Sequence, residues 1–182
     1  MNRNGEAMES IVLGGGCFWC TEAVFLAVRG VAAVESGYTG GASENPDYAS
    51  ICTGQTGHAE VVRVHYDSSV VTLETLLKIF FATHDPTTLN RQGHDVGTQY
   101  RSAIFFADAL QEEVARSVLR ELQAAQLFRN PIVTELTPLG RFWKAEAYHQ
   151  NYFARNPHQG YCIGVVAPKV TKFRKQFAAY LR

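Results

Sequence analysis

The 182-residue sequence predicts an α+β protein: a two-layer sandwich on a split βαββαβ (ferredoxin-like) core, with a mainly antiparallel sheet and helices on one face. Three observations lead there. From Ile11 to Thr137 the hydrophobic pattern reads strand, helix, strand, strand, helix, strand, helix, strand, and the first six members match that unit. No repeat, low-complexity tract or linker divides the chain, so residues 1–182 read as a single catalytic domain, with a polar segment at 1–9 and a carboxy-terminal loop and helix at 154–182. A composition that is 46% hydrophobic and 12% aromatic suffices at this length to bury a core without disulfide staples or a structural metal.

The elements follow in order. Ile11-Val12-Leu13 is a short apolar strand, and Gly14-Gly15-Gly16 turns it into a helix that starts at Cys17. Arg29 and Gly30 supply that helix with a basic last turn and a left-handed cap. Val31 to Tyr38 is a strand, and Thr39 to Gly57 is a long polar loop holding Tyr48 and Cys52. Ala59 to Asp67 alternates: Val62, Val64 and Tyr66 point one way, Arg63 and His65 the other, and Glu60 shares parity with the apolar set. Thr72 opens a helix with Leu73, Leu76, Leu77, Phe80 and Phe81 on one face, stopped by Asp85-Pro86. A second long loop, Thr87 to Thr98, carries His94 and Asp95, and Gln99 to Ala107 resumes as a strand. Asp108 and Gln111 form a capping box for a helix that buries Leu110, Val114, Val118 and Leu122. Ile132 to Thr137 is a short strand, and the aromatic stretch Phe142 to Phe153 reads as core or pocket lining. A last helix from about Lys169 buries Val170, Phe173, Phe177 and Tyr180.

Seventeen basic residues balance seventeen acidic ones, which leaves no field to attract nucleic acid or an anionic bilayer. The apolar run near the amino terminus is too short for a signal or a membrane span, so a cytoplasmic protein is expected, with a monomer as the default. Four cysteines do not make a secreted disulfide framework, and in a reducing compartment a Cys-x-x-Cys pair is more often catalytic or metal-binding.

At a helix start, orphan N–H groups and the helix dipole favour an anion, so Cys17 is the candidate nucleophile, with its thiol pKa expected to fall. An inward carboxyl at Glu60 loses solvation when ionised, so its pKa is expected to rise, as a general acid near neutral pH requires. Phe18 and Trp19, with no evident polar partner, can line an apolar socket beside the sulfur. These residues suggest thiolate attack on a polarised, uncharged centre with proton donation.

Gly-Cys-Phe-Trp at 16–19, Tyr38-Thr39-Gly40-Gly41, Asn45-Pro46-Asp47-Tyr48, Gly57-His58-Ala59-Glu60 and the run from Asp95 to Ser102 stand in the order and approximate spacing of one family. The chain, from about Ser10 to its last helix, resembles the peptide methionine sulfoxide reductase A family. The resemblance implies that Cys17 attacks the sulfur of an S-epimer sulfoxide and becomes a sulfenic acid, while Glu60 protonates the oxygen. It makes Tyr48, Asp95 and Tyr100 the residues that bind that oxygen or hold the glutamate and a water, and Phe18 and Trp19 the wall for the S-methyl group. It makes Cys162 the resolving cysteine, in Gly-Tyr-Cys. It further implies no bound cofactor, free or protein-bound methionine sulfoxide as substrate, and thioredoxin as external dithiol reductant. Two departures matter. Cys20 stands where the family often has Gly or Ser, and Ile163 to Lys169 replace a glycine-rich tail with a further cysteine, so Cys162 or Cys20 must resolve directly, Cys162 being preferred.

Two rival functions use the same residues. A general thiol–disulfide oxidoreductase would use Cys17 and Cys20 and be indifferent to Glu60→Gln, and a zinc module would use Cys17, Cys20, Cys52 and His58, though without a second Cys-x-x-Cys. Cys52 reads as structural, and His58 and His94 as hydrogen-bonding residues at most.

Overall fold

The computed structural model describes residues 8–182, so the polar start before Met8 lies outside the described residues. The strands are β1 (Met8–Gly15), β2 (Val31–Thr39), β3 (Ala59–Asp67), β4 (Arg91–Gln92), β5 (Asp95–Val96), β6 (Ser102–Phe106), β7 (Glu135–Pro138) and β8 (Trp143–Lys144). The helices are α1 (Phe18–Leu26), α2 (Tyr48–Cys52), α3 (Leu73–Thr83), α4 (Ala109–Ala124), α5 (Tyr152–Arg155) and α6 (Ala167–Gln176). Six strands form one sheet in the order β7-β6-β1-β3-β2-β8, antiparallel except where β7 runs parallel to β6, while β4 and β5 make a separate ribbon.

Alternation along the strands sets two faces. Ile11, Leu13, Val62, Val64, Tyr66 and Ile104 join the core built with α1, α3, α4 and α6. Val12, Ala59, Val61, Ala103 and Phe105 form the other face, against Leu139 and Phe142. Each fully buried Leu, Ile or Phe side chain contributes about 1.5–3 kcal/mol to this packing. Register places Leu13 opposite Val62 and Tyr38 opposite Glu60, so Glu60 falls on the helix-covered face, as its parity requires.

Several boundaries differ from the sequence reading, each for a tertiary reason. α1 stops at Leu26 instead of running to Arg29-Gly30, because Val28 bridges Leu181 and the Arg29 amide donates to the Tyr180 carbonyl at 2.7 Å. Gly30 keeps its left-handed φ of 91°, but in the turn into β2. The first long loop contains α2, started by a capping box between Asp47 and Ser50. Residues 98–100 form a 3-10 turn and the strand begins only at Ser102, since the Arg101 guanidinium bonds the Thr98 and Gly57 carbonyls and holds that turn. On α4 the inward position belongs to Gln111, not Leu110, which is 67% exposed. Gln111 is satisfied there: its amide oxygen accepts from Ala107 N–H and its amide nitrogen donates to the Ser10 carbonyl. The strand expected over 132–137 is confined to Glu135–Pro138. α6 begins at Ala167, after a π-helical turn over Cys162–Val166, and it buries Val170 and Phe173 while Phe177 is half-buried and Tyr180 is exposed.

Candidate active site

β1 is buried from Ile11 to the glycine turn. Gly16 has φ 94°, and a Cβ there would lie 2.6 Å from Cγ of Gln92, so no other residue fits without displacing the β4–β5 ribbon. The turn sets Cys17 at the N-cap of α1, 9% exposed. Glu60 reaches over from β3 and accepts the first-turn amide of Phe18 on Oε2 at 3.1 Å. One otherwise unpaired helix N–H thus fixes the carboxyl beside the thiol, on the same side of the sheet.

Burial, aided by the negative charge of Asp95 and Cys20, pushes the Glu60 carboxyl up to about 8 although the Phe18 amide pulls it down. Glu60 is therefore a neutral acid at pH 7, as its inward parity predicts. Cys17 departs from expectation. Burial, a hydrogen bond with the Cys20 thiol and the charges of Glu60 and Cys20 raise its pKa well above the ordinary value, outweighing the Trp19 amide at the helix start. The dipole argument fails because the sulfur is desolvated more than the helix terminus can offset. Cys20 is lowered, by the hydrogen bond from Cys17 first, and then by Lys169 and the Tyr161 hydroxyl. Tyr48 and Tyr100 are both raised, by burial and by negative charge that includes Glu60, so both hydroxyls stay protonated donors.

Phe18 is buried and Trp19 half-buried, and the socket they form is closed by the carboxy-terminal segment. Trp19 does have a polar partner: its indole N–H donates to Nδ1 of His149 at 3.0 Å. The Tyr152 ring stacks on the indole with centroids 3.8 Å apart and planes 5° apart, and His149 also lies 5.0 Å from Phe18 and 4.5 Å from Tyr48. Glu22, on α1 and 1% exposed, accepts the Asn151 and Tyr152 amides at 2.7 and 3.2 Å and ties this turn to the helix. Glu146 accepts from the Tyr38 hydroxyl and the Tyr48 amide, both at 3.0 Å, and so seats Tyr48. Asp95 accepts from the Tyr161 hydroxyl at 2.6 Å, joining the ribbon to the residue before Cys162.

The structure therefore brings Cys17, Phe18, Trp19, Cys20, Tyr48, Glu60, Asp95 and Tyr100 into one neighbourhood. Cys162 is fully buried and is raised by burial and the charge of Cys20. Cys52, at the end of α2, is an exposed thiol on the Tyr48 side of the site. His58 pins the first loop, bonding the Gly41 amide and the Ser43 carbonyl. Among the described residues no three His, Cys, Asp or Glu side chains are grouped to hold a metal ion. Sequence reasoning missed Glu22, Glu146, His149 and Tyr161. The only signal was the density of aromatics around His149, which does not say that this stretch returns to α1.

A mainly antiparallel α+β frame that buries reduced cysteines beside a neutral acid and an aromatic socket defines an oxidoreductase. The chain belongs to the peptide methionine sulfoxide reductase family, whose profile, "Peptide methionine sulfoxide reductase", matches residues 9–181. It is 55% identical over 178 residues to peptide methionine sulfoxide reductase MsrA of Deinococcus radiodurans, covering 98% of this chain and 86% of the relative. Among solved structures it resembles reduced Mxr1 of Saccharomyces cerevisiae, with TM-score 0.79 and 35% identity over 89% of this chain and 92% of that one. It also resembles Mxr1 in complex with Trx2, with TM-score 0.56 and 25% identity over 84% and 88%. Among the described residues no helix is long and apolar enough to cross a membrane.

Proposed function

We propose that the protein reduces the S epimer of methionine sulfoxide, free or peptide-bound, through Cys17 and Glu60. The observation that carries this is the neutral Glu60 carboxyl held beside the Cys17 thiol by the Phe18 amide. The sulfoxide oxygen receives the Glu60 proton, with the Tyr48 and Tyr100 hydroxyls as further donors, and its sulfur becomes electrophilic. Cys17 attacks that sulfur and returns its own proton to Glu60, and the oxygen leaves the substrate for Cys17. Methionine is released, its sulfur reduced by two electrons, and Cys17 ends as a sulfenic acid. Burial is the first cause of the raised Cys17 pKa and the Glu60 charge a lesser one, so a Glu60 carboxylate that takes up the thiol's proton removes part of what holds that pKa up. Phe18 and Trp19 form the apolar wall for the S-methyl group. A second thiol, Cys162 or Cys20, then forms a disulfide, and the Mxr1–Trx2 complex supports thioredoxin as the reductant that opens it. The central order β6-β1-β3-β2 supports the split βαββαβ description of the core.

Methionine production from the separate S and R sulfoxides tests this. The S epimer is turned over, Cys17→Ser abolishes the reaction, and Glu60→Gln lowers kcat by about 10²–10⁴-fold. Reduction of protein disulfides that is unaffected by Glu60→Gln, with no methionine formed, would establish the thiol–disulfide oxidoreductase instead.

A further inference from the structure

A cavity of about 680 Å³ lies between the end of α3, residues 127–130 and α6, a volume in the range that holds a small ligand. It is separate from the aromatic socket, since Cys17, Phe18, Trp19 and Glu60 do not line it. Phe81, Phe128 and Phe173 give it aromatic surface, and Arg129, Lys169 and Lys172 give it positive charge. Among the described residues none of these three cations forms an ion pair, whereas Arg63, Lys78, Arg101, Arg116 and Lys144 all do. The carboxylate of the lining, Asp85, is already engaged: the Thr87 amide and hydroxyl donate to it at 2.9 and 2.6 Å. In a chain whose seventeen basic and seventeen acidic residues balance, three cations converging on apolar surface without a counter-ion are a local excess that favours an anion.

The inner wall of the cavity backs onto the cysteine turn. Gln92 accepts the Asp85 amide and donates to the Asp85 carbonyl, both at 3.0 Å, and its Cγ is the atom that a Cβ on Gly16 would strike. His84 bonds the Phe80 carbonyl at 2.6 Å and the Ser102 hydroxyl at 2.7 Å, and a Cβ on Gly15 would lie 3.4 Å from its Cγ. Lys169 lies near enough to Cys20 to act on its charge.

We propose that this cavity is a second binding site, for a small organic anion made of a phosphate, sulfonate or carboxylate group on an aromatic body, and that its occupant acts on turnover from behind the cysteine turn. The charged group pairs with Arg129, Lys169 and Lys172, the guanidinium offering two parallel N–H donors to an oxyanion. The ring packs on the phenylalanines, a surface that a bare inorganic ion leaves unused. Through Gln92, His84 and Lys169 the occupant is one side chain away from Gly16, Gly15 and Cys20. The effect on turnover rests on the sulfoxide-reductase reading of Cys17, and the binding does not.

Calorimetric titration of the full chain with phenyl phosphate, inorganic phosphate and phenol tests the site. Phenyl phosphate binds one per chain, about tenfold or more tighter than either of the others, and Arg129→Ala and Lys172→Ala each weaken it by about five- to tenfold. Amide exchange slowed at 84–92, 127–130 and 169–176 locates the ligand without a variant. Equal binding of inorganic phosphate, binding indifferent to both substitutions, or displacement of phenyl phosphate by methionine sulfoxide overturns the site. Saturating phenyl phosphate changes kcat for the S-sulfoxide by about twofold or more with KM unchanged. Binding with kcat unaltered overturns the action on the turn and leaves the site, and binding to a protein that forms no methionine overturns the sulfoxide reading alone.

Discussion

The cysteine turn and the carboxy-terminal segment face each other across one socket but are held in different ways. Glu60 rides on β3, and Cys17 caps a helix fed directly by the adjacent antiparallel strand β1. Their spacing is set by ladder hydrogen bonds and by one amide-to-carboxylate bond. The stretch from Glu146 to Tyr161 contributes no strand to the sheet, and Gln150 joins it to β2 through the Ser36 backbone. It is hung on side chains: Glu22 on two amides, Trp19 on His149, Tyr38 on Glu146, Asp95 on Tyr161. The proton chemistry sits on the rigid half, and the half that shapes the socket is tethered by a few long-range bonds, each of which a point substitution can cut. Substitutions in the first half should therefore act on kcat, and those in the second on substrate affinity and on local stability.

The largest effect is expected at Glu60, and its pH dependence is the sharper test. The folded carboxyl keeps its proton up to about 8, against an ordinary value of 4.5. Activity that needs the acid form falls as pH rises through about 8, and Glu60→Gln, already slower by about 10²–10⁴-fold, lacks that limb. The same shift has a stability consequence of definite sign. Between 4.5 and about 8 the folded protein holds a proton that the unfolded chain has released. Stability therefore declines with rising pH across that window, and the Gln variant is relieved of this component of the slope. Urea unfolding of both proteins at several pH values reads the difference. Equal slopes would mean that Glu60 is ionised in the fold, which would take the acid out of the mechanism.

Much of the rigid half is legible in the sequence because it is local. The parity of Glu60 with Val62, Val64 and Tyr66 and the glycine turn before Cys17 are short-range patterns that tertiary structure has no freedom to undo. The Cys17 pKa was misread for the opposite reason: the helix start is local, but the burial and the charges that dominate come from other elements. The tethered half was hardly legible. Glu22 lies in an apolar helix stretch and reads as an ordinary surface acid, and its partners are amides that carry no sequence identity. His149 reads as one more residue in an aromatic run. Leu110 and Gln111 show the same limit inside a well-predicted helix, where a one-residue rotation was settled by two hydrogen bonds to Ala107 and Ser10.

An intermediate effect is expected at Glu22. Its carboxylate is buried and raised by desolvation, partly offset by the Asn151 and Tyr152 amides. Glu22→Gln replaces one acceptor oxygen by an NH₂ that faces amide donors, at a cost of about 1–3 kcal/mol in global stability. Asn151 is in a left-handed conformation at φ 53° and depends on that anchor. Release of the turn should raise KM for a sulfoxide substrate more than it lowers kcat. A loss of kcat with KM unchanged would mean that the tethered half shares in the chemistry and would remove the distinction between the two regions.

The smallest effect separates positioning from chemistry at His149. Nδ1 accepts the Trp19 indole N–H, so the neutral ring carries its proton on Nε2, and that atom is buried without a partner among the described residues. Burial lowers the ring's pKa, which keeps it neutral. Phenylalanine preserves the aromatic packing against Phe18, Tyr48 and Tyr152 and deletes both ring nitrogens. The lost indole bond costs about 0.5–1.5 kcal/mol, while removal of an unsatisfied donor returns a similar amount, so global stability changes little. What changes is the seat of Trp19. Its indole N–H loses its acceptor, the stack on Tyr152 loosens, and KM rises by about two- to tenfold with kcat nearly constant. Tryptophan fluorescence reports the altered indole environment independently of turnover. A kcat that falls with pH along a histidine titration in the wild type, and loses that dependence in His149→Phe, would instead make the imidazole a proton carrier and shift the boundary of the chemical half to include it.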